Sequence, residues 1–262
     1  MYLAFAASAF QTQLAYRGQV WALALGYFIN ISAKVAIWTA VFAGHGSVDG
    51  VSLAQMVTYA IIAGSIDVGW HWERFIQTIG AQIKSGDVAV YLLKPLHYPA
   101  MLFSSECGNL GFGIVALVVP MTIVTGLLYG FAPPPTVLHG MLFIVMWAVG
   151  FVILFLLAGI AALLSFWLLT TFALEWILTA LLAVLSGRIV PLWFYPEQAA
   201  AVLKYLPFAW VAFHPTAVYV GQVGIDEAVR LLVLGIAWVV VLAGGIVLLW
   251  SRASRRLIVQ GG

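Results

Sequence analysis

The stretch Gly80–Tyr98, GAQIKSGDVAVYLLKPLHY, lies between two long apolar segments of the chain. It places Lys84, Asp87 and Lys94 close together in a chain of which only 8% is charged. Pro95 follows Lys94 directly and is expected to end the preceding segment, because proline lacks a backbone donor and restricts the residue before it. The stretch is therefore predicted to be the main polar surface between two apolar segments, where a soluble partner could touch the protein.

The composition decides the class of protein. Hydrophobic residues make up 64% of the chain and charged residues only 8%, whereas a soluble domain has about 25% charged residues. The chain therefore cannot bury all of its apolar surface in a core of its own. We expect an all-α integral membrane protein with a single transmembrane domain over residues 1–262. A net charge of +2 gives no support for nucleic-acid binding. The single cysteine, Cys107, excludes an internal disulfide and supplies no metal-ligand cluster.

The apolar runs predict six membrane spans and two segments that do not cross. Tyr2–Arg17 is too interrupted by polar residues to cross about 30 Å of hydrocarbon, and is predicted to lie at the membrane interface. Pro191–Val223 combines prolines with aromatic residues and is predicted to be an outer re-entrant hairpin of short helices between spans five and six. The spans are approximately Trp21–Phe42, Val57–Phe75, Pro99–Tyr129 (long and tilted, or kinked at Pro120), Met141–Leu164, Trp176–Val190 and Ala228–Trp250.

The distribution of basic residues predicts the orientation. The links Gly44–Gly50 and Gly130–Pro135 have no Lys or Arg, and Arg188, Lys204 and Arg230 are a partial exception on the same side. The positive-inside rule therefore places both termini and the polar loop in the cytoplasm. The basic residues on the predicted inner side are Arg17, Arg74, Lys84, Lys94, Arg252, Arg255 and Arg256.

Polar residues inside the predicted spans are candidates for function. Asp67, His71, Arg74 and Thr78 follow one another at the spacing of residues on one stripe of an α-helix. Lys34 lies at a comparable depth in the first span. A charge is costly in hydrocarbon, so this stripe should face protein or water. A structural Lys34–Asp67 ion pair, a substrate path and proton coupling through Asp67 and His71 all stay open. Glu73, Glu106 and Glu175 are predicted to be interfacial on the inner side.

Two motifs carry a resemblance to a known family. The first is Lys84-Ser-Gly-Asp87, an apolar stretch and then Leu92-Leu-Lys-Pro-Leu96; the second is Ser186-Gly-Arg-Ile-Val-Pro-Leu-Trp-Phe-Tyr-Pro196, followed by Leu206-Pro-Phe208, Pro215 and Tyr219–Gly221. Both resemble segments of the six-helix permeases of ABC-2 type exporters, the first in the loop after helix two and the second in the outer hairpin before helix six.

The resemblance implies a function and a set of site residues. The chain would be the membrane subunit of an ATP-driven exporter in a prokaryotic cytoplasmic (inner) membrane, working with cytoplasmic ABC ATPases and a second permease, identical or paralogous. The ATPase-coupling segment would hold Lys84, Ser85, Gly86 and Asp87, with Lys94 nearby. The outer hairpin would be marked by Gly187, Pro191, Pro196, Pro207 and Pro215.

The sequence lacks the common motifs for nucleotide binding and catalysis. It has no G-x-x-x-x-G-K-[ST], no G-x-S-x-G and no H-E-x-x-H, so no enzyme activity or cofactor is expected on this chain. ATP and Mg²⁺ would be bound by the partner ATPase. The apolar spans favour an amphipathic or hydrophobic substrate. The main alternative is an ion-gradient-driven secondary transporter that uses Lys34, Asp67 and His71.

The predicted topology is tested by cysteines at Gln198 and, separately, at Ser254, after Cys107→Ser removes the native thiol. An impermeant maleimide added to intact cells should label the first position and not the second. Labelling at position 254 would show that residues after Pro191 contain a seventh crossing, with the C-terminal arginines outside.

Overall fold

The computed structural model describes residues 2–15, 17–88, 97–168 and 171–260, apart from the side chains of residues 17, 67 and 254–260. The described chain is all-α, and its helices are α1 (Tyr2–Ala15), α2 (Arg17–Val41), α3 (Leu53–Gly69), α4 (Trp72–Ser85), α5 (Tyr98–Gly113), α6 (Val119–Tyr129), α7 (Val137–Leu164), α8 (Thr171–Leu185), α9 (Glu197–Leu203), α10 (Phe213–Tyr219) and α11 (Ile225–Gln260).

Four stretches of the described helices are long and apolar enough to cross a membrane: Gly18–Val41, Tyr98–Tyr129, Val137–Leu164 and Ile225–Ala253. The apolar parts of α3 and α8 are shorter. The fifth predicted span was placed too late, since α8 begins at Thr171 and ends at Leu185. The cause is the mostly apolar Ser165–Glu175 stretch, in which composition gives no clear turn.

The second predicted span is not one continuous helix. α3 ends at Gly69, Trp70 is extended with φ −147° and ψ 125°, and α4 begins at Trp72. The prediction that Asp67, His71, Arg74 and Thr78 form one helical stripe is therefore wrong, because the interruption separates Asp67 from the residues after it. The side chain of Asp67 itself lies outside the described residues.

The third predicted span changes its helical geometry just before Pro120. A π-helical turn, Ile114–Val118, joins α5 to α6, and the Val119 N–H donates to the carbonyl of Ile114. Proline cannot donate the usual backbone bond, and a wider turn is one way for a helix to continue past it. Gly113 lies so close to the backbone of Gly69 that a Cβ would collide with it. The π turn and the interruption after α3 are therefore neighbours.

α1 packs lengthwise on α5, in the same direction. Tyr2 contacts Ser104, Ala6 contacts Gly108 through its backbone, and Phe10 packs on Phe112 with ring centroids 5.7 Å apart. The predicted separate N-terminal helix is thus present, but it lies against the bundle. Gly108 allows the close approach, because any side chain there would meet the carbonyl of Ala6.

Three connections meet at one end of the bundle, called here the hairpin end: residues 42–52, 130–136 and 186–224. Gln55 donates to the carbonyl of Val220 at 2.8 Å, and Gln222 donates to that of Gly50 at 3.4 Å. Thr58 accepts from the Ala132 amide at 2.8 Å. At the opposite end, called the α4 end, α4 terminates and α5 begins, and Tyr98 stacks on Trp250 of α11 with centroids 5.3 Å apart.

A glycine-to-alanine pair tests the packing of α1. Gly108→Ala should lower the thermal midpoint in detergent, because the new methyl group meets backbone and overpacking costs about 1–3 kcal/mol. Gly111→Ala, on the same helix, is the control, since its Cβ would lie 3.8 Å from Phe10 in ordinary contact. Equal midpoints for the two variants would contradict the packing.

Candidate functional site

α4 is an amphipathic helix that connects the polar loop to the interior of the bundle. Its buried face packs against α7 and α8 and consists of Trp72, Phe75, Ile76, Ile79 and Gly80. Gly80 lies directly against Thr171, the first residue of α8, and leaves no room for a side chain. Its opposite face carries the exposed side chains of Arg74, Gln77 and Thr78. The spacing of these apolar residues follows a helix that buries one face.

The coupling segment implied by the resemblance, Lys84–Asp87, caps the end of α4. Gly86 has φ +80°, the left-handed conformation that favours glycine at a helix end, and its N–H donates to Ile83. The Ser85 hydroxyl donates to Asp87 Oδ2 at 2.6 Å. Lys84 lies in the last turn of α4, where a cation stabilises the helix. Lys84, Ser85 and Asp87 are exposed; Lys94 lies outside the described residues.

A cavity of about 210 Å³ lies where α1, α2, α4 and α5 meet, beside the interruption after α3. One part of its wall is apolar, including Leu23, Phe112 and Leu117. The other part is polar and is formed by Gln13, Gln19, His71, Arg74, Thr78, Glu106 and Asn109. We call this space the polar cavity.

Glu106 is the centre of a hydrogen-bond network in the wall of the polar cavity. Its Oε2 accepts from Trp70 Nε1 at 2.7 Å and from Asn109 Nδ2 at 3.0 Å. Gln13 of α1 donates to Asn109 Oδ1 at 3.2 Å. The guanidinium of Arg74 acts electrostatically on the Glu106 carboxylate. The network thus joins α1, α5 and the interruption that precedes α4.

The structure describes the side chains of four of the residues that the sequence analysis grouped. His71, Arg74 and Thr78 line the polar cavity, whereas Lys34 donates to the carbonyl of Arg188 at 3.3 Å, beside the hairpin. The predicted Lys34–Asp67 pair depends on an undescribed side chain and stays a prediction.

The acidic residues predicted to be interfacial have different surroundings. Glu175 accepts from Gln77 Nε2 at 2.7 Å and so joins α8 to α4. Glu106, in contrast, is held inside the bundle. In the described chain no three His, Cys, Asp or Glu side chains come together as a metal site.

The hairpin residues have the local roles expected of glycine and proline. Gly187 has φ +74°, and its carbonyl accepts from the Tyr59 hydroxyl at 2.8 Å. Pro191 and Pro196 directly precede the short helices Leu192–Phe194 and Glu197–Leu203. Pro207 begins a short 3₁₀ turn, and Pro215 lies in the first turn of α10. Proline is tolerated at such starts because no helical donor is needed there.

The comparisons with known proteins identify the family. A family model described as "ABC-2 family transporter protein" matches residues 28–261. The chain belongs to the ABC-2 transporter family. No curated protein and no solved structure gives a significant match. Gln13 and Gln19, which line the polar cavity, precede the matched residues.

Membership of the ABC-2 family makes the chain a multi-pass membrane protein and a transport permease, consistent with its apolar helices. Transporters of this family associate in general with ABC ATPase subunits.

Sequence analysis did not find the network around Glu106. Glu106 is the only charged residue of Tyr98–Tyr129, and Asn109 follows it by three positions, on the same helix face. That pair was the available signal. Trp70, which holds Glu106 in place, is distant from it in the sequence. Trp70 also begins the interruption between α3 and α4, and the spacing of apolar residues in this region did not indicate that interruption.

Replacement of Glu106 tests the network. Glu106→Leu should destabilise the protein by about 1–3 kcal/mol, since it leaves the Trp70 and Asn109 donors without their acceptor. Glu106→Gln retains an acceptor oxygen and should cost less. Thermal unfolding in mild detergent measures both, with exposed Glu197→Leu as the control. Equal melting of Glu106→Leu and the control would rule out a stabilising network.

Proposed function

We propose that this protein is the membrane-spanning permease subunit of an ATP-driven ABC exporter, and that it moves an amphipathic substrate outward. The observation that carries the proposal is α4, which joins an exposed coupling segment to the wall of a polar cavity. α4 has 14 residues, about 20 Å at 1.5 Å per residue. A contact at Asp87 can thus be transmitted to Arg74 and His71 through one rigid element.

The interruption at Trp70–His71 gives α4 a point about which to move. Trp70 has an extended backbone, and the neighbouring π turn also departs from α-helical geometry. π turns inside helices are frequent at functional sites. In this mechanism an ATP-dependent movement of the coupling segment shifts α4 along α7 and α8. The shift changes the distance between Arg74 on α4 and Glu106 on α5, and with it the shape of the polar cavity.

The contacts of the hairpin support six crossings with a re-entrant segment. Both flanks of residues 186–224 lie at the hairpin end, yet the carbonyl of Trp210 packs against Gly150, at the midpoint of α7. That midpoint is about 20 Å from the start of α7. The Trp210 indole also donates to the Leu231 carbonyl at 3.1 Å. We infer that the segment enters the membrane from the outer side and returns, with α2, α3–α4, α5–α6, α7, α8 and α11 as the crossings.

The proposal includes partners and a location. Two cytoplasmic ABC ATPases would bind ATP and Mg²⁺, and a second permease, identical or paralogous, would complete the conduit. The α4 end would face the cytoplasm, in the inner membrane of a prokaryote, because Lys84 and the C-terminal basic residues lie there.

The ion-gradient alternative has less support. It needs Lys34, Asp67 and His71 to act together, and the side chain of Asp67 lies outside the described residues. Family membership favours ATP as the energy source.

Purification from mild detergent tests the proposed coupling. The wild type should retain a P-loop ATPase, and Gly86→Leu combined with Asp87→Leu should lose it or its substrate-stimulated hydrolysis, since the coupling segment is reshaped.

The matched control is Gly44→Leu with Glu197→Leu at the hairpin end. Gly44, like Gly86, has φ +80° and open space around it, so the backbone strain is the same. Undiminished ATPase retention and hydrolysis in the Gly86/Asp87 variant, or an equal loss in the control, would argue against a coupling role.

A further inference from the structure

A second cavity adjoins the polar cavity across a thin wall. It measures about 220 Å³ and lies between α4, α5, α7 and α11. Phe75, Ile79 and Leu102 line both cavities and form a shared wall between them. The two spaces are therefore neighbours, separated only by side chains of α4 and α5.

The second cavity is almost entirely apolar. Besides the shared wall it is lined by residues such as Phe155, Leu156 and Ile246, with His97 and Tyr98 as its ionisable lining residues. We call it the apolar cavity. A cavity of about 150 Å³ with similar walls stays dry and binds benzene, so this space is large enough for a segment of an alkyl chain.

The polar cavity offers charges of both signs. Oε2 of Glu106 already accepts two hydrogen bonds, from Trp70 and Asn109, which fix the carboxylate in the wall. Arg74 brings a guanidinium to the same cavity from α4. A ligand group with one positive and one negative charge satisfies both residues, whereas a purely cationic or purely anionic group leaves one of them repelled.

We propose that the two cavities together bind one single-chain amphiphile with a zwitterionic head. Its ammonium group pairs with Glu106, its anionic group pairs with Arg74, and its alkyl chain passes the shared wall into the apolar cavity. This deepens the proposed function, on which it rests, by naming the substrate class.

The order of the two cavities along α5 fits outward transport. The apolar cavity touches Tyr98 and Pro99 at the start of α5, whereas the polar cavity touches Glu106 and Gly113 further along the helix. The head is therefore nearer the hairpin end than the chain is. An amphiphile that moves toward the hairpin end therefore travels with its polar head first. A movement of α4 changes the binding site, because α4 contributes Arg74, Phe75 and Ile79 to its walls.

The test uses the full-length protein in phosphatidylglycerol nanodiscs, so that the host lipid carries no ammonium group. The probe is dodecyl phosphoethanolamine with a diazirine near the end of its chain. After illumination, mass spectrometry should find the label on walls of the apolar cavity such as Leu156 and Ile246. Unlabelled dodecyl phosphoethanolamine should compete, and dodecyl maltoside, dodecyltrimethylammonium and dodecyl phosphate should compete much less.

Single variants separate the head from the chain. Glu106→Gln and Arg74→Gln should each weaken labelling about tenfold, as expected for one charged hydrogen bond. Glu197→Gln and Arg252→Gln, at exposed sites, are the matched controls and should have no effect. Gly159→Leu should block the chain, because a side chain there meets Ile246; Gly244→Leu points into open space and should not.

Three outcomes would overturn the proposal: labelling outside the apolar cavity, equal competition by the maltoside, or unchanged labelling of Arg74→Gln. Arg74 is exposed, so this variant remains decisive even if Glu106→Gln fails to fold. The outcome is independent of the ATPase. Labelling of the apolar cavity without a co-purifying ATPase would support the amphiphile site and reject the exporter function. A co-purifying ATPase without this labelling would reject the amphiphile site alone.

Discussion

The hydrogen bond from the Trp70 indole to the Glu106 carboxylate, 2.7 Å long, joins an interrupted helix to the only charged residue of Tyr98–Tyr129. Inside a membrane protein, a break in a helix is tolerated only where protein or a water-filled cavity satisfies the freed polar groups. The break after Gly69 meets that condition, since it borders the polar cavity. The bond also fixes the carboxylate where it faces the cavity, so one interaction serves both the fold and the site.

The chemistry of the site depends on how α4 is placed. Its apolar face holds it against α7 and α8, its polar face contributes Arg74 to the cavity, and its end presents Ser85–Asp87 to solvent. Had α3 continued without interruption, any displacement at Asp87 would have to move the whole second span. Because the chain leaves the helix at Trp70, α4 is a separate element from α3. Gly69 and Gly113 let the two irregular segments pack closely.

The sequence predicted features that depend on local chemistry. Pro191, Pro196 and Pro207 indicated short helices, and these appear in the structure. Of the two alternatives for the third span, a long tilted helix or a kink at Pro120, the structure shows an irregularity, a π turn just before Pro120. Features set by distant partners were not predictable. The position of Glu106 depends on its bond to Trp70, and Thr171 at the start of α8 packs against Gly80, ninety-one positions earlier in the chain. The polar stripe was wrong because spacing arguments assume an unbroken helix, and neither Trp70 nor His71 is a helix breaker by type.

The proposed movement of α4 relative to α5–α6 on ATP binding can be measured as a distance between two spin labels. Nitroxides at Lys84 and Leu128, both exposed, are introduced into Cys107→Ser and measured by double electron–electron resonance in the purified transporter complex. A non-hydrolysable ATP analogue should shift the Lys84–Leu128 distance, while a control pair at Leu128 and Val240, on α6 and α11, stays nearly constant. An unchanged Lys84–Leu128 distance in the ATP-loaded complex would contradict the proposed movement of α4.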